Sequence, residues 1–412
     1  LAPAPVSRGK PQITTEHRSG ARCISMVEVA LLKLIPGFSA ANVTELERHL
    51  QQIWAFGANI IVGWQIGALG LKVLYLPSYA LAKAAQIRPD LLSGDRNLKS
   101  DADAHRLSQI GVQTASIALS FNVPPDDNVK HHINLFIRKF SITHCRFRCV
   151  SLFDVVKFSK YNHFDQITLI TMLSHNLNIA ARQCNRLDLP IELAMTTTGD
   201  GFYVWNNKRG IQADIALYTT TMLALIYNNA ALNIAETAAV PTLRCCVHFG
   251  RHFEYYQPRG DGGDSHAFIV GDVTIELARM MAMALPNQIL IGNYTARHDK
   301  FLAYKKNGIV DTETFMVAAQ DGLKRLIGLR IPGGRIATIC SYLTGDETLP
   351  GTFTIKTYRI FDKHALEYPC FNAKLNFSDE AGNDIYIGCM DNDLVEFGAD
   401  RRHAEQPPAK SN

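Results

Sequence analysis

Beyond residue 143 the chain alternates β-rich apolar runs with longer amphipathic ones, and this alternation restricts its architecture more than any other feature. Residues 145–156 read as a buried strand. Residues 165–186 read as a helix with Ile167, Ile170, Leu173 and Leu177 on one face. "IELAMTTT" and "FYVW" follow as two strands around a Gly-Asp turn. Then come a helix over 213–229, the strand "LRCCVHF", a helix over 273–284 that stops before Pro286, and the strand "QILI". A helix over 314–327 and the strands "GRIATICSYL", "TFTIKTYRIF", "FNAKLNF" and "DIYIGCM" complete the pattern. Strands and helices in this order predict an α/β or α+β domain.

The first strand contains an anomaly. In "SLFDVVKFSK" the apolar run Leu152, Phe153, Val155, Val156 is broken by Asp154. A buried carboxylate is costly unless it is paired, hydrogen-bonded or bound to a metal. "TTTGDGFYVW" supplies a second acid, Asp200, at the tip of a Gly-flanked turn that would otherwise pass as an ordinary hairpin. If the two strands are neighbours, these acids meet. Two carboxylates, a backbone carbonyl and triphosphate oxygens form the hard-oxygen site that magnesium prefers.

Composition narrows the partners. With 412 residues, 47% hydrophobic and 19% charged, the chain has ordinary globular composition and room for two or three domains. The formal charge is +4, and no stretch is basic enough to read as a nucleic-acid footprint, so no nucleic-acid partner is expected. Nine scattered cysteines suit a reducing cytosol. "HCRFRC", with His144, Cys145 and Cys149, lacks the second pair that a structural zinc needs. The loops "PRGDGGDSH" and "IPGGR" read as turns.

Residues 26–125 read as a helical N-terminal region, with Asn42 as an N-cap before Leu46, Leu50 and Ile53, and with the Pro pair of "FNVPPDDN" (121–128) marking a junction. The uncharged stretch 55–71, "AFGANIIVGWQIGALGL", reads as a buried helix rich in small residues. Its alternative is a membrane anchor, for which it is short. Residues 1–25 and 396–412 read as disordered tails.

The stretches "FDVVKFSK", "TTTGDGFYVW", "LRCCVHFGR" and "GDVTIELARMMAMALPNQILI", in that order, resemble the class III nucleotidyl cyclase catalytic domain of adenylate and guanylate cyclases, in a divergent bacterial-type form. The family signature runs Phe-x-Asp-Ile-x-Gly-Phe-Ser/Thr, Gly-Asp, Arg-x-Gly-x-His-x-Gly, then Gly-Asp-x-Val-Asn-x-Ala-x-Arg, and the likeness spans 146–294, about a third of the chain. It implies an α+β fold: a ferredoxin-like βαββαβ catalytic domain over 143–300, followed by a β-rich α/β extension over 301–395. It implies that Asp154, Asp200 and the Val155 carbonyl hold two Mg2+ or Mn2+ ions. Arg251, with Phe158 and Ser159 in the turn after the first acid, would meet the triphosphate. Arg279 would stabilise the pentacoordinate phosphorus.

The chain also departs from the family. Ile275 replaces the ribose-orienting Asn. Thr196 and Phe268 stand where a Lys and an Asp read adenine. Lys157 and Cys246 replace glycines. The resemblance therefore implies a cyclase that makes a 3′,5′-cyclic nucleotide and pyrophosphate. ATP is the default substrate and a pyrimidine triphosphate the variant, as in the cyclases of bacterial anti-phage signalling. It also implies a cytoplasmic homodimer with composite sites, one subunit giving the aspartates and the other Arg279. The alternatives are an inactive cyclase-like nucleotide-binding or dimerisation module, and a membrane-associated cyclase held by 55–71.

Overall fold

The computed structural model describes residues 39–87, 97–234, 240–258, 265–297, 309–349, 352–362, 364–390 and 394. Both expected tails and most of "PRGDGGDSH" lie outside the described residues.

The N-terminal unit is mixed and not helical. Helix α1 (Ala40–Trp54) is capped by the Ser39 hydroxyl, which accepts from the Asn42 N–H at 3.2 Å, so the cap falls before Asn42. Strands β1 (Asn59–Gly67) and β2 (Gly70–Pro77) form an antiparallel hairpin. After α2 (Leu81–Ile87) and α3 (Asp101–Ser108), β3 (Gln113–Ala118) pairs with β2. The stretch 55–71 is thus mostly hairpin, and the buried-helix and membrane-helix readings of it are both corrected. The physical reason is that both faces of β1 are covered. Ile61 and Trp64 pack on one side and Ile60 and Val62 on the other, with a bulge between Ile61 and Gly63. Such a strand shows no alternation, and periodicity alone does not separate it from a helix.

Helix α4 (Asp127–Arg138), capped by Asp126, sends Val129, Ile133 and Ile137 into the same cluster as Leu46, Leu50 and Trp64. The first unit therefore continues past the Pro pair to Phe140, whose carbonyl accepts from Ile61 N–H at 3.0 Å.

The main body begins with β4 (Ile142–Val155), α5 (His163–Arg186), β5 (Leu193–Thr197), β6 (Gly201–Asn206), α6 (Ile211–Ile234) and β7 (Leu243–Pro258). These four strands lie in the order β7-β4-β6-β5 and are antiparallel throughout. Next come β8 (Ser265–Val270), α7 (Asp272–Met283), β9 (Ile289–Gly292), β10 (Thr295–Arg297), β11 (Ile309–Asp311) and α8 (Thr312–Lys324). Short strands β12 (Arg330–Ile331), β13 (Gly334–Leu343), β14 (Glu347–Leu349) and β15 (Thr352–Phe353) follow. The series ends with β16 (Thr357–Phe361), β17 (Glu367–Asp379) and β18 (Asp384–Ile387).

Alternation along β4 and β7 sorts the two faces. Phe153, Val155, Cys245 and Val247 face one core with Leu173 of α5, Met222 of α6 and Phe315 of α8. Val150, Leu152 and Cys246 face the other, against Val273, Leu277 and Met280 of α7. Among the described residues, one helix is long and apolar enough to cross a membrane, Ile211–Leu232 in α6, and most of it is buried in the first core. Ile167, expected on the buried stripe of α5, is exposed.

The segment 301–395 is no separate extension. Strand β17 pairs antiparallel with β9, and β13 pairs with β17, so both belong to the eleven-stranded sheet that holds β4. "IPGGR" is the hairpin turn between β12 and β13, with Gly333 at φ 95° after Pro332.

Candidate functional site

Asp154 sits one residue before the end of β4, opposite Gly201 on β6 and Arg244 on β7. Its parity with Leu152 turns it to the α7 face, and it is 7% exposed. The β5–β6 turn is shaped to meet it. Gly199 takes φ 102°, open to a residue without a side chain, and a Cβ on Gly201 would lie 1.9 Å from the Phe153 carbonyl oxygen. The two glycines of Gly-Asp-Gly are thus set by the turn and by the close approach of β6 to β4. Val155 N–H donates to the Asp200 carbonyl at 2.9 Å, fixing the strand tip to the turn. The Asp200 carboxylate, held locally by the Thr198 hydroxyl at 3.3 Å, helps to raise the Asp154 carboxyl. The strand tip that carries Asp154 and the turn that carries Asp200 therefore lie side by side.

Sequence reasoning missed the cation between them and α7. Arg244 donates from Nε to Asp154 Oδ2 at 2.9 Å, and its Nη2 bonds the same oxygen. Its Nη1 reaches the carbonyls of Met281 and Ala284, both at 3.3 Å, at the end of α7 where a helix favours positive charge. Burial pushes the Asp154 carboxyl above its ordinary value; Arg244 pulls against that rise and Asp200 adds to it. The available signal was the arginine in "LRCCVHF", a charge in a buried strand that needs an acid just as Asp154 needs a base.

After Val155 the chain turns at Lys157, which adopts φ 56° and ψ 30°, the left-handed region that glycine occupies without strain. This is the position of the family's glycine. The turn continues through Phe158 and Ser159: Phe158 packs on the first core and Ser159 is exposed.

The two arginines of the motif likeness each pair with another acid. Arg251 on β7 is exposed and pairs with Asp272, with Nε at 3.0 Å and Nη2 at 2.7 Å from Oδ2. Arg279 on α7 has its Nε 3.6 Å from Asp362 Oδ2, just after β16. Ile275, one turn earlier on α7, is 52% exposed. The two residues of the expected base-reading pair have different neighbours. Thr196 shares the α7 face with Ala194, whereas Phe268 stacks on Tyr255 at 5.2 Å and 15°, on the other face from Ile269. Among the described residues no group of three or more His, Cys, Asp or Glu converges as a metal cluster. Cys145 and Cys149 are buried packing residues.

No family model matches the chain, and no curated protein matches its sequence. Solved cyclase structures do match. The guanylyl cyclase Cya2 superposes at a TM-score of 0.33 with 9% identity, over 55% of this chain and 91% of that one. The adenylyl cyclase CyaB from P. aeruginosa gives 0.31 with 11% identity over 57% and 95%. The guanylate cyclase domain of RhGC from Catenaria anguillulae, in complex with GTP, gives 0.32 with 11% identity over 56% and 97%.

Proposed function

We propose that the chain is a metal-dependent nucleotidyl cyclase that converts a nucleoside triphosphate to a 3′,5′-cyclic nucleotide and pyrophosphate. The observation that carries this reading is the juxtaposition of the β4 tip with Asp154 and the β5–β6 turn with Asp200, tied by the Val155 N–H to Asp200 carbonyl bond, each within a stretch that resembles a cyclase motif. On this reading the β4-α5-β5-β6-α6-β7 unit is the ferredoxin-like core of the catalytic domain.

The donor set suits a hard divalent cation. Both guanidinium bonds to Asp154 fall on Oδ2, which leaves Oδ1, and with the Asp200 carboxylate and the Val155 carbonyl it would supply the oxygen donors for Mg2+ or Mn2+. The bound ions would lower the pKa of the attacking ribose 3′-hydroxyl and neutralise the triphosphate. Arg244 fixes the Asp154 carboxylate so that its other oxygen stays directed to the site. Arg251 exchanges Asp272 for triphosphate oxygens, an exchange that exposure makes cheap. Arg279 offers a guanidinium to the charge that builds on the phosphate and leaving group. In a site shared between two copies, Arg279 would serve the partner's acids.

The test is incubation with ATP, GTP, CTP and UTP in turn, with Mg2+ or Mn2+, and separation of the products. A cyclic nucleotide plus pyrophosphate from at least one, lost in Asp200→Asn, is the expected result and also names the base. No product from any of the four sinks the reading. Ile275 favours a second one, a nucleotide-binding or dimerisation module without turnover, because an exposed Ile cannot orient a ribose by hydrogen bonding. Nucleotide bound but unchanged would select it.

A further inference from the structure

Arg279 does not stand alone on α7. Its Nε is buried and makes no hydrogen bond among the described residues, and it lies 3.6 Å from Oδ2 of Asp362. The Arg279 side chain nonetheless keeps 39% exposure, while that of Asp362 keeps 2%. The Nε edge of the guanidinium is thus turned into the protein against a carboxylate, and the two Nη groups form the fork beyond it. A fork presented in this way is shaped to grip an oxyanion with two parallel bonds.

Asp362 is itself preset. Its Oδ1 accepts the N–H groups of His364 at 2.8 Å and Leu366 at 3.0 Å, and the Tyr368 hydroxyl reaches Oδ2 at 3.4 Å. Its own N–H donates to the Leu366 carbonyl at 3.0 Å. The turn between β16 and β17 therefore holds the acid in place without help from Arg279. The pair joins a motif residue to a segment more than 80 positions downstream, outside every stretch that resembles a cyclase.

We infer that Asp362 is a positioning residue for Arg279, setting the direction in which the guanidinium fork is presented. This rests on the cyclase reading for what the fork grips. A misplacement of about 1 Å can lower turnover by about a hundredfold. The structure thus gives the β16–β17 turn a place in the site.

The test is Asp362→Asn in the full chain, since Asn keeps the Oδ1 acceptor that closes the turn and removes the charge facing Arg279. Turnover should fall about tenfold to a hundredfold with KM for the triphosphate changed less than about twofold. Unchanged turnover overturns the inference. Raised turnover overturns it too, since Asp362 would then be sequestering Arg279 instead of aiming it. The Nε–H resonance of Arg279, assigned by its loss in Arg279→Lys, gives a second readout that needs no activity. It should shift and broaden in Asp362→Asn, and an unmoved resonance overturns the inference even if the wild-type chain cyclises nothing and the functional reading fails.

Discussion

Arg244 and Asp154 face each other across β7 and β4, with Nε 2.9 Å from Oδ2, and the same guanidinium caps the end of α7 through Met281 and Ala284. A carboxylate is tolerated in an apolar strand because a neighbouring strand carries its counter-charge. The site's acid and the helix that bears Arg279 hang on one side chain.

Removing that side chain should therefore cost more than removing its partner. Arg244→Met should destabilise the fold by about 2–3 kcal/mol, at the lower end for a buried pair because the Arg244 side chain keeps 25% exposure. Adding Asp154→Asn should recover part of the loss, since the stranded charge is gone. Urea denaturation of both single variants and the double one measures this. Simply additive costs would mean that the two residues are not coupled.

Asp154→Asn and Asp200→Asn should each abolish product and weaken Mn2+ binding measured by calorimetry, while circular dichroism stays that of the wild type. The double variant should be little worse than either single one, because both disable one unit. Full activity of either variant at low magnesium would remove that acid from the metal site.

Subunit mixing tests whether the proposed site is shared between two copies. Asp154→Asn protein and Arg279→Ala protein should each be nearly inactive. After exchange, half the dimers should be mixed, each with one doubly defective site and one intact site, so activity should return to roughly a quarter of wild type. A mixture that stays inactive after demonstrated exchange means the two residues do not act in trans.

Asp214, buried at the start of α6 and accepting the Cys149 N–H at 2.9 Å, gives a pH dependence. Burial pushes its carboxyl from 3.8 up to about 7, against the opposing pull of the Cys149 N–H and Arg148. The fold favours the neutral acid. Its stabilising contribution is complete below pH 3.8 and is lost as pH rises through about 7. Asp214→Asn should flatten the stability profile across that window by a few kcal/mol, because one group titrating in the unfolded chain alone changes stability by about 1.4 kcal/mol for each step of one in pH. A profile that keeps its slope would assign the pH dependence to other groups.

The elements that carry the two acids were legible because their signals are local. The run around Phe153, the Gly-Asp-Gly turn and the Pro286 stop each declare themselves within a dozen residues. What sequence hid was pairing at a distance. Arg244 meets Asp154 across 90 positions, and no periodicity announces a charge pair between strands. Thr196 and Phe268 align with a base-reading pair through the motif resemblance, but the stacking of Phe268 on Tyr255 could not be read from the sequence. The hairpin at 59–77 was hidden for another reason: apolar cover on both faces erased the alternation that marks a strand.

Strand β9 has four residues, and it runs between β7 on one side and β17 on the other, with Phe371 opposite Ile291 and Ala373 opposite Ile289. Cutting the chain near 300, where the motif likeness ends, would turn this inner strand into a bare edge. Its apolar residues Ile289, Leu290 and Ile291, all buried now, would lie beside unpaired amides. Such an edge recruits other chains and favours insoluble assemblies. The segment that bears the motifs is therefore not portable: a fragment trimmed to them should precipitate, and any transplant of it has to carry residues through β17.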